Sequence, residues 1–417
     1  MTPSVPFDVF VKIAFFIHDW DTLRQFLEAF RQDDALGPLE HLWKLFQERR
    51  WNHAFLWPHL KLTRITMDPA SCLHLETVAK YYSQVIVDET TDVEWIRQHI
   101  DPKTSLAWIR PTSRFNPTNL KTWQPFRISS LEKVDINPAK FLQECSSLEH
   151  VQVAKCTPEI AGVVFKHAAS SSSLRRLDLR TAELNQEGHC TITTSLARDL
   201  QPWINSQPIR SFQLRRFSWE SPAVRAQILA SVLAKSTLET FHVEELFGDL
   251  LSLQTQYNRW SRQVTLTFMP RYDPEDKIHW NANELSVFVN VFRELLESNC
   301  TKLNVEEFIR ATGEPTVVWQ VLAPLVKSCK LEEFKFSYRT LTSEDASLMV
   351  ETIRDHPTLR QLSFSSLRVS FEDAKAILVA APASLETLQI SPSDDSFSTQ
   401  EWKELRDLAA ERSITMK

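Results

Sequence analysis

The spacing of apolar positions changes near residue 57. Before it, apolar residues recur at steps of three and four: Val9, Ile13, Phe16 and Ile17, then Leu23, Phe26, Leu27 and Phe30, then Leu39, Leu42, Trp43 and Phe46. This is the spacing of one helix face, and it predicts three short helices between Phe7 and Arg50. Asp21-Thr22 supplies a start signal for the second helix. Leu36-Gly37-Pro38 ends it and places Pro38 in the first turn of the third, where a missing N–H is tolerated. So small a bundle buries too little surface to stand alone and is expected to pack on the chain beyond residue 57.

From there on a short pattern, apolar-x-x-apolar-x-apolar, keeps returning. It reads "LEKVDI" at Leu131, "LEHVQV" at Leu148, "LRRLDL" at Leu174, "IRSFQL" at Ile209 and "LETFHV" at Leu238. It reappears as "CTKLNV" at Cys300, "LEEFKF" at Leu331, "LRQLSF" at Leu359 and "LETLQI" at Leu385, with "SRQVTLTF" from Ser261 a weaker copy. "WPHLKL" at Trp57 and "YSQVIV" at Tyr82 are irregular earlier copies. The mean period is about 28 residues, which points to a solenoid. Amphipathic helical segments lie between copies, at 222–235, 284–298, 343–355, 371–381 and 399–410. Each unit therefore reads as one strand, a turn and one helix, an α/β array. The stretch 101–127 carries four prolines and reads as an irregular repeat or a loop.

Alternate residues of a strand point to opposite sides of a sheet. With the leucines turned into the core, the other face presents Arg176, Asp178 and Arg180, then Ser211, Gln213 and Arg215, then Thr240, His242 and Glu244. Arg176, Asp178, Arg180, Gln213, Arg215, His242 and Glu244 are the candidate partner-binding residues. Arg176, Arg180 and Arg215, with Arg216 beside them, would form a basic patch for an acidic partner segment. The other reading is a solvated strand face with no dedicated ligand.

Composition narrows the chemistry. The net charge of −6 argues against a nucleic-acid backbone as main partner. Only five glycines occur, none close together, so neither a Walker loop nor a GxGxxG turn can be built. Six scattered cysteines without a CxxC pair suit a reducing compartment, which points to the cytoplasm, with the nucleus also open. His53 and His59, and Cys72 with His74, lack the tight spacing of zinc ligands. No metal, cofactor or catalytic set is expected. The run "VFVKIAFFI", Val9 to Ile17, is preceded by Asp8 and interrupted by Lys12, unlike an export signal. It is also far shorter than the roughly 20 residues of a membrane span.

The repeat motif resembles the leucine-rich repeat, closest to its ribonuclease-inhibitor-like and cysteine-containing subclasses. That family places Asn or Cys eight residues after the first leucine. Cys156 matches after Leu148, whereas other copies carry Ala139, Ala182, Phe217, Leu246, Phe308, Arg339, Leu367 and Ser393. The N-terminus resembles an F-box: Val5-Pro6-Phe7-Asp8-Val9, then Ile13, Phe16-Ile17, a polar break at 18–21, and Leu23, Phe26 and Leu27. Its closing Val-x-x-x-Trp segment is replaced by a region in which Trp43 comes late. The resemblance implies an F-box-like three-helix head at 1–56 and a curved leucine-rich-repeat solenoid of parallel strands with outer helices at 57–417, ending in a capping helix. It also implies a substrate receptor of a cullin-RING ubiquitin ligase. The head, through Val5, Pro6, Val9, Ile13 and Ile17, would hold a Skp-type adaptor, and the concave repeat face a protein substrate. The alternative is a repeat scaffold or inhibitor whose N-terminal helices only cap the array.

Overall fold

The structure is a computed structural model. It describes residues 7–31, 36–48, 52–62, 69–88, 90–110, 123, 125–134, 138–181, 190–247, 251–270, 293, 300–307, 316–337, 341–367, 369–392 and 397–416. The chain divides into two compact units, residues 1–174 and 175–417. The division falls inside the predicted repeat array, and the head helices share the first unit with the first five strands.

In the first unit, α1 (Phe7–Phe16), α2 (Trp20–Arg31) and α3 (Leu39–Gln47) match the predicted apolar spacing. The start of α2 differs from expectation. Asp19, rather than Asp21-Thr22, accepts from the Thr22 backbone N–H at 2.8 Å and the Thr22 hydroxyl at 2.7 Å, satisfying donors that the helix leaves open. Gly37 has φ +51°, and a Cβ there would meet the Phe7 ring at 2.7 Å. Glycine is therefore needed both for the turn and for the seat of α1. Next come five parallel strands in the order β1 (Leu60–Leu62), β2 (Gln84–Val87), β3 (Ser105–Ile109), β4 (Arg127–Val134) and β5 (His150–Val153). Thus "SLAWI", inside the proline-rich stretch, is a strand, paired with β2 and β4 and with a register shift against β4 between Leu106 and Ala107. Cys156 is buried immediately before the helix Pro158–Ser170, whose Thr157 side chain accepts from Ile160 N–H.

The second unit is also a mostly parallel sheet. Its strands are β6 (Arg176–Arg180), the short β7 (Thr191–Ile192), β8 (Ser211–Trp219), β9 (Thr240–Phe247), β10 (Leu251–Asn258), β11 (Gln263–Pro270), β12 (Lys302–Glu307), β13 (Glu333–Ser337), β14 (Gln361–Leu367), β15 (Thr387–Pro392) and β16 (Thr415–Met416). Except for β7, which pairs with β8, they lie side by side in chain order. Among the described strands, β10 alone runs against its neighbours, pairing antiparallel with β9 and β11. Uniform parallel repetition is therefore broken at 240–270, where a three-strand meander replaces the strand–helix crossover. Helices Pro222–Leu233, Ser343–Ile353, Phe371–Ala380 and Thr399–Glu411 lie within two residues of the expected bounds. The expected helix at 284–298 lies outside the described residues save Arg293. The last helix leads into β16, which pairs with β15.

Register explains the core. Leu177, Phe212, Phe241, Tyr257, Val264, Leu303, Phe334, Leu362 and Leu388 occupy one row across the sheet, and each is buried. Burial of a large apolar side chain is worth about 1.5–3 kcal/mol, so this row is a main contributor to cohesion of the unit. The helices bury their own apolar stripes, such as Ile228, Leu229 and Val232, completing a two-layer α/β core. The mixed α/β architecture, with strands and helices in repeated succession, is consistent with a repeat solenoid.

Candidate protein-binding surfaces

One candidate surface lies on α1. Val11 and Ala14 are buried, and Phe15 stands edge-on to Tyr82 at 4.9 Å and beside Trp57 at 5.0 Å. The Trp57 indole N–H donates to the Ile17 carbonyl at 2.8 Å. One face of α1 is thereby fixed to the region around β1. The other face is left open: Val9 is 41% exposed, Ile13 44% and Phe16 79%. Their spacing of four and three residues puts them on one stripe. Ile17, just past the helix, is half-buried, and Val5 and Pro6 lie outside the described residues.

The other candidate is the polar face of the second unit. Parallel register brings Asp178, Gln213 and His242 into one row, and Arg180, Arg215 and Glu244 into the next. The rows continue through Gln256, Thr265, Asn304 and Lys335, and through Gln254, Thr267, Glu306 and Ser337. Sequence separations of tens of residues thus collapse into neighbours one strand apart, about 4.8 Å.

Three of the arginines expected to make a basic patch, Arg176, Arg215 and Arg216, face carboxylates on this side of the sheet. Arg215 donates to Gln213 Oε1 at 2.6 Å and lies 3.8 Å from Asp178 Oδ2. Arg216 donates to Glu244 Oε1 at 3.3 Å. Arg176 lies 3.7 Å from Glu239, which also faces Arg210 at 3.8 Å. The Arg215 contact helps bury Asp178, which strand alternation alone would leave open to solvent. His242 and Gln254 exchange a side-chain hydrogen bond at 2.7 Å. Burial, then the Arg215 charge, lowers the His242 pKa to about 4, so the ring is neutral at pH 7.

A bulge shapes this part of the face. Arg215 pairs with Glu244 and Phe217 with Glu245, leaving Arg216 as the extra residue, at φ +64°. Left-handed backbone is uncommon for a residue with a Cβ. Here the Thr181 hydroxyl donates to the Arg216 carbonyl at 2.8 Å. The extra residue restores Phe217 to the core and gives the polar face two consecutive arginines.

Beneath the meander, Glu245 is 1% exposed and faces Arg225 of helix Pro222–Leu233 at 3.9 Å. Burial raises the Glu245 pKa to about 7 against the opposing pull of Arg225 and the Trp219 indole.

Two polar clusters elsewhere have the residue types of catalytic or metal chemistry but not the geometry. Ser130 on β4 contacts Nδ1 of His150 on β5 at 3.0 Å and donates to Glu132 at 3.1 Å, while Glu132 stands 4.0 Å from the same Nδ1. A serine relay needs the base to bridge through opposite ring nitrogens, and here serine and carboxylate share one. His41 of α3 and His74 of the helix Pro69–Val78 meet Nδ1 to Nδ1 at 2.9 Å. Among the described residues no group of three His, Cys, Asp or Glu is placed to hold a metal. Burial raises the Cys145 thiol to about 12 and Cys300 to about 11, keeping both protonated. No described helix is long and apolar enough to cross a membrane.

No protein-family model matches the chain. No curated protein matches it either. Among solved structures, the chain is similar to the leucine-rich repeat-containing protein LegL7 from Legionella pneumophila, at 11% identity over 84% of this chain and 90% of that one, with a TM-score of 0.26.

Proposed function

We propose that this chain is a non-catalytic protein-interaction protein. In this reading the polar rows of residues 175–417, from Arg176, Asp178 and Arg180 through Gln213, Arg215, His242 and Glu244, hold a protein substrate. The α1 stripe holds a Skp-type adaptor, making the chain a substrate receptor of a cullin-RING ubiquitin ligase in the cytoplasm. The observation that carries the head's role is the division of α1. Val11, Ala14 and Phe15 pack inward, while Val9, Ile13 and Phe16 stay exposed. A single large apolar residue on a surface needs no explanation, but a contiguous stripe is the kind of patch that a partner covers.

The second reading is a repeat scaffold or inhibitor whose head is only a cap. It is favoured by the contacts of Phe15 with Trp57 and Tyr82, which tie α1 to the start of the strand array. Pull-down of the full chain with a purified Skp-type adaptor separates the two. Binding that is lost in Ile13→Asp supports the receptor reading. Absence of binding by the wild type, or equal binding by Ile13→Asp, removes the adaptor role and leaves the scaffold.

A further inference from the structure

On one side of the second unit's sheet, the starts of β6, β8, β9 and β11 and the end of β10 form a rim joined by backbone hydrogen bonds. Arg210 N–H donates to the Arg175 carbonyl at 2.8 Å, Glu239 to Arg210 at 2.8 Å and Arg259 to Glu239 at 3.0 Å. Across the β10–β11 turn, Thr301 N–H donates to Arg262 at 3.1 Å. The rim is therefore basic from β6 to β11, with Glu239 its one acidic link among the described residues. That one carboxylate faces two cations, Arg176 and Arg210. Arg259 donates to the Ser236 carbonyl, and Lys235 to the Asn205 carbonyl at 3.0 Å. These two acceptors are neutral, so the bonds hold the side chains without cancelling their charge.

Trp260 stands at the tip of the β10–β11 turn, 80% exposed, the highest value for a large apolar residue among those described. Its place is fixed: Asn258 Oδ1 accepts from the Trp260 N–H at 2.9 Å and from Ser261 N–H at 3.3 Å. Arg259 and Arg262 flank it and are also exposed. Tryptophan and arginine are the residue types most often found carrying binding energy at protein interfaces.

We propose that this rim docks an acidic extended segment of a partner protein, with carboxylates on Arg210, Arg259 and Arg262 and an apolar side chain on the Trp260 ring. The geometry sets a spacing. Arg210 at the start of β8 and Arg259 at the end of β10 stand two strands apart, about 10 Å, which matches a partner segment in the extended polyproline II form, whose side chains return to one face every three residues at about 3.1 Å each. Acidic residues at positions i and i+3 with an apolar residue near them match the rim. A nucleic acid fits less well, because its unbroken run of phosphates would meet Glu239 between the cations. The proposal rests on the protein-interaction reading, but not on the polar rows of the sheet face.

The probe is a fluorescein-labelled synthetic peptide with Glu at i and i+3 and Leu between them, titrated into the full chain and read by fluorescence polarisation. Saturable binding is expected to weaken about 30-fold in Trp260→Ala, the loss typical of an interface anchor. It should also weaken in Arg210→Glu/Arg259→Glu. Unfolding midpoints should hold, since these side chains are exposed. No binding by the wild type overturns the proposal. So does equal binding by Trp260→Ala or by a peptide with Gln for Glu. Tighter binding of a single-stranded oligonucleotide or a phosphatidylserine vesicle assigns the rim to another class of partner and overturns it as well. If the peptide fails while a protein partner found by proximity labelling still depends on Gln213 and Arg215, the rim proposal falls and the interaction reading stands.

Discussion

Glu245→Gln tests the physics of the meander directly. Glu245 is buried between β9 and the helix Pro222–Leu233, with Arg225 at 3.9 Å. Its folded pKa is raised from 4.5 to about 7, chiefly by burial. Proton linkage sets the sign. Between these two values the folded chain keeps the proton and the unfolded chain releases it, so stability falls as pH rises. The contribution is fully present below pH 4.5 and lost as pH passes about 7. At 1.36 kcal/mol per tenfold change in proton affinity, the loss is at most roughly 3 kcal/mol. The Arg225 attraction is already contained in that figure, since it is what keeps the carboxyl from rising further. Glutamine has the same shape and no proton to lose. Urea unfolding of both proteins across pH 4.5 to 8 should show the variant gaining on the wild type by up to about 3 kcal/mol. The buried histidines oppose this trend, but they are common to both proteins and cancel in the difference. A difference that stays constant with pH would refute the argument.

The same geometry predicts other outcomes. His242 is held neutral, its pKa down to about 4 from 6.5, so its contribution is present above pH 6.5 and lost on acidification. His242→Gln, which can still bond Gln254, should move the acid-unfolding midpoint to lower pH, read by tryptophan fluorescence. Phe15→Ala removes the ring that seats α1 on Trp57 and Tyr82. It should cost about 3 kcal/mol, near the lower end of the range for Phe→Ala in a core, by chemical denaturation. Arg216→Val puts a β-branched residue at φ +64° and should cost about 1–3 kcal/mol, whereas Arg216→Gly should cost less in the same assay.

The strand positions were legible because their inward residues are strongly apolar. Phe334 and Phe336 alternate with Lys335, and Leu177 and Leu179 flank Asp178. β10 escaped the leucine motif because its inward residues near the turn are Thr255 and Tyr257, both buried. The available signal was alternation of β-formers, Leu251, Leu253, Thr255 and Tyr257, ahead of a polar turn. β3 was obscured by the prolines around it and by Ala107, which is buried along with Leu106 and Trp108 and so breaks the period-two pattern. The bulge had a trace in sequence, since Leu214 and Phe217 are three apart where a flat strand would have them two or four apart. The pairing of arginines had none. It depends on which residue sits across the strand boundary, and Asp178 meets Arg215 only through register. The α1 stripe was visible as apolar residues, but a helix apolar nearly all round does not say which face is left open. That was decided by Phe15 and the Trp57–Ile17 hydrogen bond.

The meander also bears on how the second unit assembles. Neighbours such as Glu333 and Gln361 must close a long segment before they pair, and so must most parallel strands here. Asn258 and Gln263 pair across a four-residue turn. Short closures carry less entropic cost, and hairpins form in about 1–10 μs. β9, β10 and β11 are therefore the natural seed of the sheet, presenting parallel-ready edges to β8 on one side and β12 on the other. In a repeat array, order spreads from wherever it first forms. Substitutions at Val243, Thr255 and Val264 should slow refolding, while those at Leu388 should chiefly speed unfolding. The interruption in the repeat would then be the place from which the repeats on either side grow.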